Sequence, residues 1–411
     1  MGRSAALVLL VKGRSPVHKT SGIGSKVRGA LRLAGAGMGR AFVGPRMVGL
    51  EVTHYCNLGC GFCETHGRFM AVPIVKRRSY VGERRSMDLE TIERLSRSMA
   101  KLGVEWVELS GKGDPIVHPQ LADIVRIIKA AKLRCSMFTN GTVRRPDLVP
   151  TLVKSGLDRL NLSLNAASAP VFAKVTGKDL FPNAIEFIRE VIAARRAQGG
   201  DRPWVRLTFV VCKDNVEEVE AQVDLCRELQ VDEGGWCIMG ELAETSSIQI
   251  DHADAQRLLA GIPEWSRRLE ASGLAHDLAN FAEDLRTRIG TGPVQDNPLQ
   301  KELPCYEGWM HSVIGPDGAV APCCYCDNVP LGNVVEKDFA EIWHGEQYQD
   351  FRRRSLEMPK TQRAICRECF TNCNRSHENK RTHDRLVTIG MAGRASSHEP
   401  APDGLPAPGR A

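Results

Sequence analysis

Along residues 47–240 the hydrophobic and polar positions switch repeatedly between two periods. Short β-branched runs predict strands, and longer stretches with apolar residues three and four apart predict helices. MVGLEVTHY, from residue 47, is an apolar strand ending at a cysteine. WVELSG (106–111) is a second strand and QLADIVRIIKAAKL (120–133) an amphipathic helix. CSMFTNG (135–141) predicts a strand closing in a turn, DLVPTLVKSG (147–156) a helix with a terminal glycine, and RLNLSLN (159–165) a fourth strand. Then follow helix NAIEFIREVIAARRAQ (183–198), strand VRLTFVV (205–211), helix VEEVEAQVDLCRELQ (216–230) and a sixth short strand, GGWCIMG (234–240). Strands separated by helices predict an α/β domain with a parallel sheet. Right-handed crossovers curl such a sheet toward a barrel, with chemistry at the C-terminal strand ends. A partial barrel of six β/α units over 47–243 is therefore expected.

The flanks have other patterns. Residues 1–46 carry Lys and Arg but no Asp or Glu. SKVRGALRLAGAGMGRAF within them suits a basic helix. The segment is read as a solvated leader or, more sharply, as a surface that meets an acidic membrane or partner. AALVLLV (5–11), followed by Lys12 and Arg14, has part of a signal-peptide pattern but no clean small-residue cleavage site. No run is long enough to span a bilayer. Residues 244–300 predict a helical connector. Residues 301–383 predict a small metal-stapled domain with turn signals such as GPDG at 315–318. Residues 384–411, rich in Pro, Ala and Gly, are expected to be disordered.

A length of 411 residues accommodates a large domain plus a smaller one. The net charge of +6 is mild and gives no reason to expect nucleic acid. Cysteine content changes the picture. Ten of fourteen cysteines fall in two groups, Cys56/60/63 and Cys305/323/324/326/366/369/373, while Cys135, Cys212, Cys226 and Cys237 are scattered. In a long chain, clustered C-x-x-C spacings point to metal rather than disulfides. Such thiolates survive best in a reducing compartment, so a cytoplasmic location is expected.

Residues 56–63 read CNLGCGFC, three cysteines with no fourth nearby. A closed tetrahedral site wants four ligands. One reading is half of a split zinc site completed by His54 or His66. The other is a [4Fe–4S] cluster with one iron open to a small molecule. C-x3-C-x2-C is the spacing of the radical S-adenosylmethionine (SAM) enzymes, which this chain resembles over roughly residues 47–240. The resemblance implies that Cys56, Cys60 and Cys63 hold three irons and that SAM occupies the fourth. Phe62 matches the aromatic position that packs near the adenine. SGKGDP after the second strand resembles the family's glycine-rich turn, with Gly111, Gly113, Asp114 and Pro115 in place and Asp where Glu is usual. Its backbone would bind the SAM amine. TNG (139–141) and SLN (163–165) follow the third and fourth strands as in the family, and Ser163 and Asn165 are expected contacts to the SAM carboxylate or ribose. The activity implied is one-electron cleavage of SAM to a 5′-deoxyadenosyl radical that takes hydrogen from a substrate, with a reducing partner such as flavodoxin or ferredoxin.

The second group, in the order Cys305, GPDGAVAPCC, LGNV, EIW, CRECFTNC, resembles the auxiliary-cluster domain of these enzymes, called SPASM or, when short, twitch. Seven cysteines do not complete two four-thiolate clusters, so one auxiliary [4Fe–4S] cluster is expected on Cys305, Cys323, Cys366 and Cys369. Cys324, Cys326 and Cys373 are then spare or alternative ligands, and two clusters would need them. A structural zinc is the plainer alternative.

Cys237, at the sixth strand, is either a hydrogen donor to a substrate radical or a small buried apolar residue. Glu241, Lys112 and His118 lie near predicted loop ends as candidate acids or bases. The expected substrate is a small metabolite (a sugar, cyclitol or lipid-linked glycan) undergoing oxidation, epimerisation or deoxygenation. A ribosomal-peptide maturase is the first alternative. A non-enzymatic iron–sulfur electron carrier or sensor is another.

Overall fold

The computed structural model describes residues 22–69, 85–240, 243–291, 302–324, 326, 329–361 and 376–392. The predicted strands form in chain order: β1 (Met47–Leu50), β2 (Trp106–Leu109), β3 (Arg134–Thr139), β4 (Arg159–Ser163), β5 (Trp204–Val211) and β6 (Glu233–Ile238). Neighbours are parallel, with registers such as Met47↔Trp106 and Arg159↔Trp204. The crossovers include α2 (Leu89–Leu102), α3 (Leu121–Ala130), α4 (Leu148–Lys154), α5 (Ala169–Thr176), α6 (Phe181–Ala197) and α7 (Val219–Glu228), all preceded in the chain by α1 (Ile23–Gly37). Residues 216–218, assigned from the pattern to one long helix, instead form a single 3-10 turn ahead of α7.

β5 shows how the sheet is built. Val205, Leu207, Phe209 and Val211 are buried among the helices, while Arg206, Thr208 and Val210 point to the concave side. A period of two puts alternate residues on opposite faces, and paired neighbours share a face. Ser163 is therefore beside Thr208, and Cys237 beside Val210, inside the barrel. Lower down, Arg159 donates to both Glu233 oxygens at 3.1 Å, and Arg206 bridges Glu233 and Asp277.

Three domain expectations are corrected. First, residues 22–46 are not a solvated leader. α1 buries Arg32, whose guanidinium donates to Glu105 Oε1 at 2.6 Å, Gly44 O at 2.9 Å and Gly103 O at 2.8 Å. A buried cation persists only when its donors are satisfied, and here they tie the entries to β1 and β2 together. Second, the connector and C-terminal region extend the same sheet. After α8 (His252–Ala271), β7 (Ala275–His276) pairs with β6 and leads to α9 (Leu278–Thr291). After the one-turn α10 (Glu307–Met310), β8 (His311–Ile314) runs parallel to β1 in the register Met47↔His311. β9 (Val320–Ala321) closes that side antiparallel to β8. Pairing covers an edge that β1 would otherwise present. Third, order does not stop at residue 384. Following α11 (Phe339–His344) and α12 (Glu346–Thr361), α13 (Ser376–Thr388) crosses that boundary and lies against α1, with Met391 in contact with Gly37. No helix among the described residues is long and apolar enough to cross a membrane.

Candidate functional site

β1 delivers the chain to the cysteine loop at the barrel mouth. Cys56, Cys60 and Cys63 are each half-buried and none is in a disulfide. The loop is shaped by its own backbone: Cys63 N donates to Cys60 O at 3.0 Å, and Gly67 N to Cys63 O at 2.8 Å. A Cβ on Gly67 would stand 2.2 Å from that carbonyl, so only glycine fits. Gly59 N and Gly61 N bond Thr176 O and Val175 O at the end of α5, and Arg68 donates to Val175 O at 3.0 Å. His66 N donates to Cys63 Sγ at 3.3 Å.

Electrostatics shows what the three sulfurs need. Burial pushes all three thiols up, Cys56 to about 12; neighbouring thiols and Asp114 push Cys56 and Cys60 in the same direction, and Glu64 does so for Cys63. Three adjacent thiolates are therefore unfavourable without a cation to bind them. Among the described residues no group of three His, Cys, Asp or Glu converges to hold a single metal ion. His66, a candidate fourth ligand of a split zinc site, is engaged elsewhere: its Nε2 lies 2.7 Å from Lys112 O.

The SGKGDP turn seats directly on the strand leading to the cysteines. Gly111 has φ +123°, and a Cβ there would meet Glu51 Cγ at 2.3 Å. A Cβ on Gly113 would stand 2.3 Å from Thr53 O and 2.6 Å from Tyr55 O. The Asp114 side chain bonds the backbone of its own and the next turn. Its carboxylate accepts from Ile116 N at 3.0 Å and Asn140 N at 2.7 Å, and burial pushes its pKa up. It ties the turn after β2 to the turn after β3.

Pattern reading missed a small amide network in the same place. Asn57 Nδ2 donates to Thr142 Oγ1 at 2.8 Å, Asn140 Nδ2 donates to Asn57 Oδ1 at 2.9 Å, and Thr142 N donates to Asn140 Oδ1 at 2.8 Å. The signal was the Asn after Cys56 together with TNGT after β3, but neither shows its partner in sequence.

Other predicted residues divide. Ser163 points into the barrel at the end of β4. Asn165, at φ +58°, turns inward to the scaffold: its Oδ1 accepts from Val210 N and its carbonyl accepts from Asn215 Nδ2, both at 2.8 Å. Phe62 packs with Val210 beside Met239 and Ile248 near the ends of β5 and β6. Cys237 faces the lumen, its Sγ 3.8 Å from Phe209 O, and burial raises its pKa to about 12, so it stays a thiol at neutral pH. Lys112 Nζ lies 3.8 Å from Glu51 Oε2. His118 is buried with Nε2 3.1 Å from Met87 O and Nδ1 accepting from Gln120 N, so both nitrogens serve the scaffold. Glu241 lies outside the described residues.

In the second group, Cys305 and Cys326 are buried, Cys323 is half-buried and Cys324 is exposed. Cys326 N donates to Cys323 O at 3.1 Å, and both sulfurs lie near the Tyr348 phenol, whose pKa burial raises. Cys366, Cys369 and Cys373 lie outside the described residues.

Comparisons with known proteins agree with this geometry. Residues 50–226 match the radical SAM superfamily, and residues 305–370 match an iron–sulfur cluster-binding domain, SPASM. A probable GTP 3′,8-cyclase of Saccharolobus islandicus is 35% identical over 185 residues, 45% of this chain and 54% of that protein. The chain thus spans about half the length of the curated relatives it matches. Streptococcus suis SuiB bound to precursor peptide SuiA shares the fold with a TM-score of 0.57 at 19% identity, covering 78% of this chain and 70% of that one. Native anSMEcpe with bound AdoMet has a TM-score of 0.56 at 15% identity, covering 84% and 98%.

Proposed function

We propose that this chain, whose residues 50–226 match the radical SAM superfamily and residues 305–370 a SPASM iron–sulfur cluster-binding domain, is a radical SAM enzyme that removes a hydrogen atom from a small polar metabolite. When bound, the [4Fe–4S] cluster and SAM supply one-electron reductive cleavage and hydrogen-atom abstraction. The chain does the rest. Cys56, Cys60 and Cys63 hold the cluster from a loop whose amides face its sulfurs. Gly111 and Gly113 let the turn after β2 approach closely and present its backbone to SAM, with Phe62 and Ser163 flanking. The helix-packed wall excludes water.

The observation that carries the substrate class is the concave lining. Glu108, Ser136, Asn161, Ser163 and Thr208 share one face of the sheet with the paired Arg159 and Arg206 and with the apolar Phe138 and Val210. A face of hydroxyls, an amide and a carboxylate suits a hydrogen-bonding ligand such as a sugar, cyclitol or glycan. Cys237, which faces the same lumen as a neutral thiol, would give a hydrogen atom to the substrate radical, and the resulting thiyl would be returned to the thiol by one electron from the reductant and a proton; epimerisation is the outcome to test first. Cys305 and Cys323, with Cys366 and Cys369, hold one auxiliary cluster. A flavodoxin- or ferredoxin-type reductant in a reducing cytoplasm fits the thiolate content. Peptide modification is the second reading, favoured by the extent over which the SuiB–peptide complex shares this fold.

The test is anaerobic reconstitution with iron counting, followed by turnover with deuterated candidates. About four irons per cluster give about eight in the parent and about four when Cys56, Cys60 and Cys63 are all changed to Ala. Deuterium appearing in 5′-deoxyadenosine with sugars or cyclitols supports the reading. Deuterium arriving only from peptides replaces it with the second. No 5′-deoxyadenosine under any reducing condition leaves an electron carrier or sensor.

A further inference from the structure

α1 is amphipathic in reverse. Its inward face carries Ser25, Arg28 and Arg32, which converge on Glu105. Its outward face is apolar: Ile23, Val27, Leu31 and Met38 are 83%, 51%, 38% and 60% exposed. At 3.6 residues per turn these fall within one stripe, joined by Ala30 and Ala34. Soluble helices place such a stripe against a core. This one points away from it: the core contact is made by the buried Arg32 and by Ala36 and Leu33, which pack with Tyr306, Trp309 and Leu386.

The segment that carries the stripe has charge of one sign: residues 1–46 contain nine Lys and Arg and no Asp or Glu. Among the described residues, Arg28, Arg32 and Arg46 face Glu105, while Lys26 and Arg40 are exposed. A second copy of the chain would bring the same positive segment to the contact and be repelled. An anionic lipid surface satisfies both features, accepting apolar side chains below and cations at the headgroups.

We propose that α1 docks the protein on an anionic membrane surface through the Ile23–Val27–Leu31–Met38 stripe. Arg32 fixes α1 to the carbonyls that precede β1 and β2, at the end of the barrel opposite the cysteine loop. Docking there leaves the mouth facing the aqueous side, open to substrate and reductant.

The test is flotation of the full, cluster-loaded chain with vesicles of phosphatidylglycerol and phosphatidylcholine, against phosphatidylcholine alone. Binding to the anionic vesicles is expected, weakening severalfold as salt rises from about 0.05 to about 0.5 M. Val27→Asp with Leu31→Asp is expected to lower affinity by about tenfold or more, with iron content and thermal melting unchanged. The milder Val27→Ser with Leu31→Ser is read alongside and ranks between the two. No flotation, equal binding to neutral vesicles, or equal binding by both variants overturns the proposal. So does a parent that sediments as a dimer and becomes monomeric in the variants, since a second copy would then cover the stripe.

Discussion

The two ends of the barrel are held by opposite means. At the floor, buried charges pair: Arg159 and Arg206 on Glu233, Arg206 on Asp277, Arg32 on Glu105. At the mouth, the cysteine loop and the turns after β2 and β3 are joined by backbone groups, by the Asp114 carboxylate bonded to backbone N–H, and by amides through Asn57, Asn140 and Thr142. Paired charge at the floor sets the geometry. The Arg68–Asp214 and Lys112–Glu51 pairs of the mouth are longer, at 3.5 Å and 3.8 Å, and the loop keeps its sulfurs for a ligand. The same parallel sheet thus separates stability from chemistry along the direction of its strands.

The largest expected effect breaks the mouth alone. Cys60→Ser is expected to abolish SAM cleavage and lower iron by about four atoms, with the thermal midpoint of the cluster-free chain unchanged. Both quantities come from one reconstituted sample, and a fall in the cluster-free midpoint would show that the loop also carries stability. Next, Arg206→Met breaks the floor. It leaves Asp277 and part of Glu233 buried without a cation, at a cost of about 3–5 kcal/mol in denaturant unfolding. Gly113→Ala is intermediate: its Cβ would press on the Thr53 and Tyr55 carbonyls, costing about 1–3 kcal/mol and loosening iron retention before the sheet melts.

The smallest effect is a pH dependence. Burial raises the Glu105 and Glu233 pKa values, but their arginines and hydrogen bonds lower them more, so both end below the ordinary carboxylate value. A folded pKa held down contributes stability that is present above the unfolded value, about 4.5, and lost as pH falls through the folded one. Unfolding free energy is expected to decline below about pH 4.5. Glu233→Gln should flatten that decline while lowering stability at neutral pH. An unaltered acid limb in this variant would assign the dependence to other carboxylates.

Much of the mouth was legible because its signals are local. CNLGCGFC and SGKGDP are short and follow short, largely buried strands that read as apolar runs. What stayed hidden depends on partners distant in the chain. The Asp114 carboxylate accepts from Asn140 N, 26 residues on, a tie that the local SGKGDP signal does not announce. Asn165 is held by Val210 and Asn215, residues that no pattern near 165 announces. α1 looked like a basic leader because a helix whose buried face is charged inverts the usual hydrophobic signal. β8 is four residues long and is stabilised as a strand by β1, not by its own propensity.

That last pairing also sets a schedule. Ile314 meets the chain at Leu50, a separation of 264 residues (314 − 50). At about 5–20 residues per second, synthesis leaves β1 without its outer neighbour for roughly 13–53 s. The metal-binding loop is made early, on a strand whose flank is still open, and the segment that shields it arrives near the end of translation. A chain stopped before residue 302 is therefore expected to pellet, while the full chain stays in the supernatant.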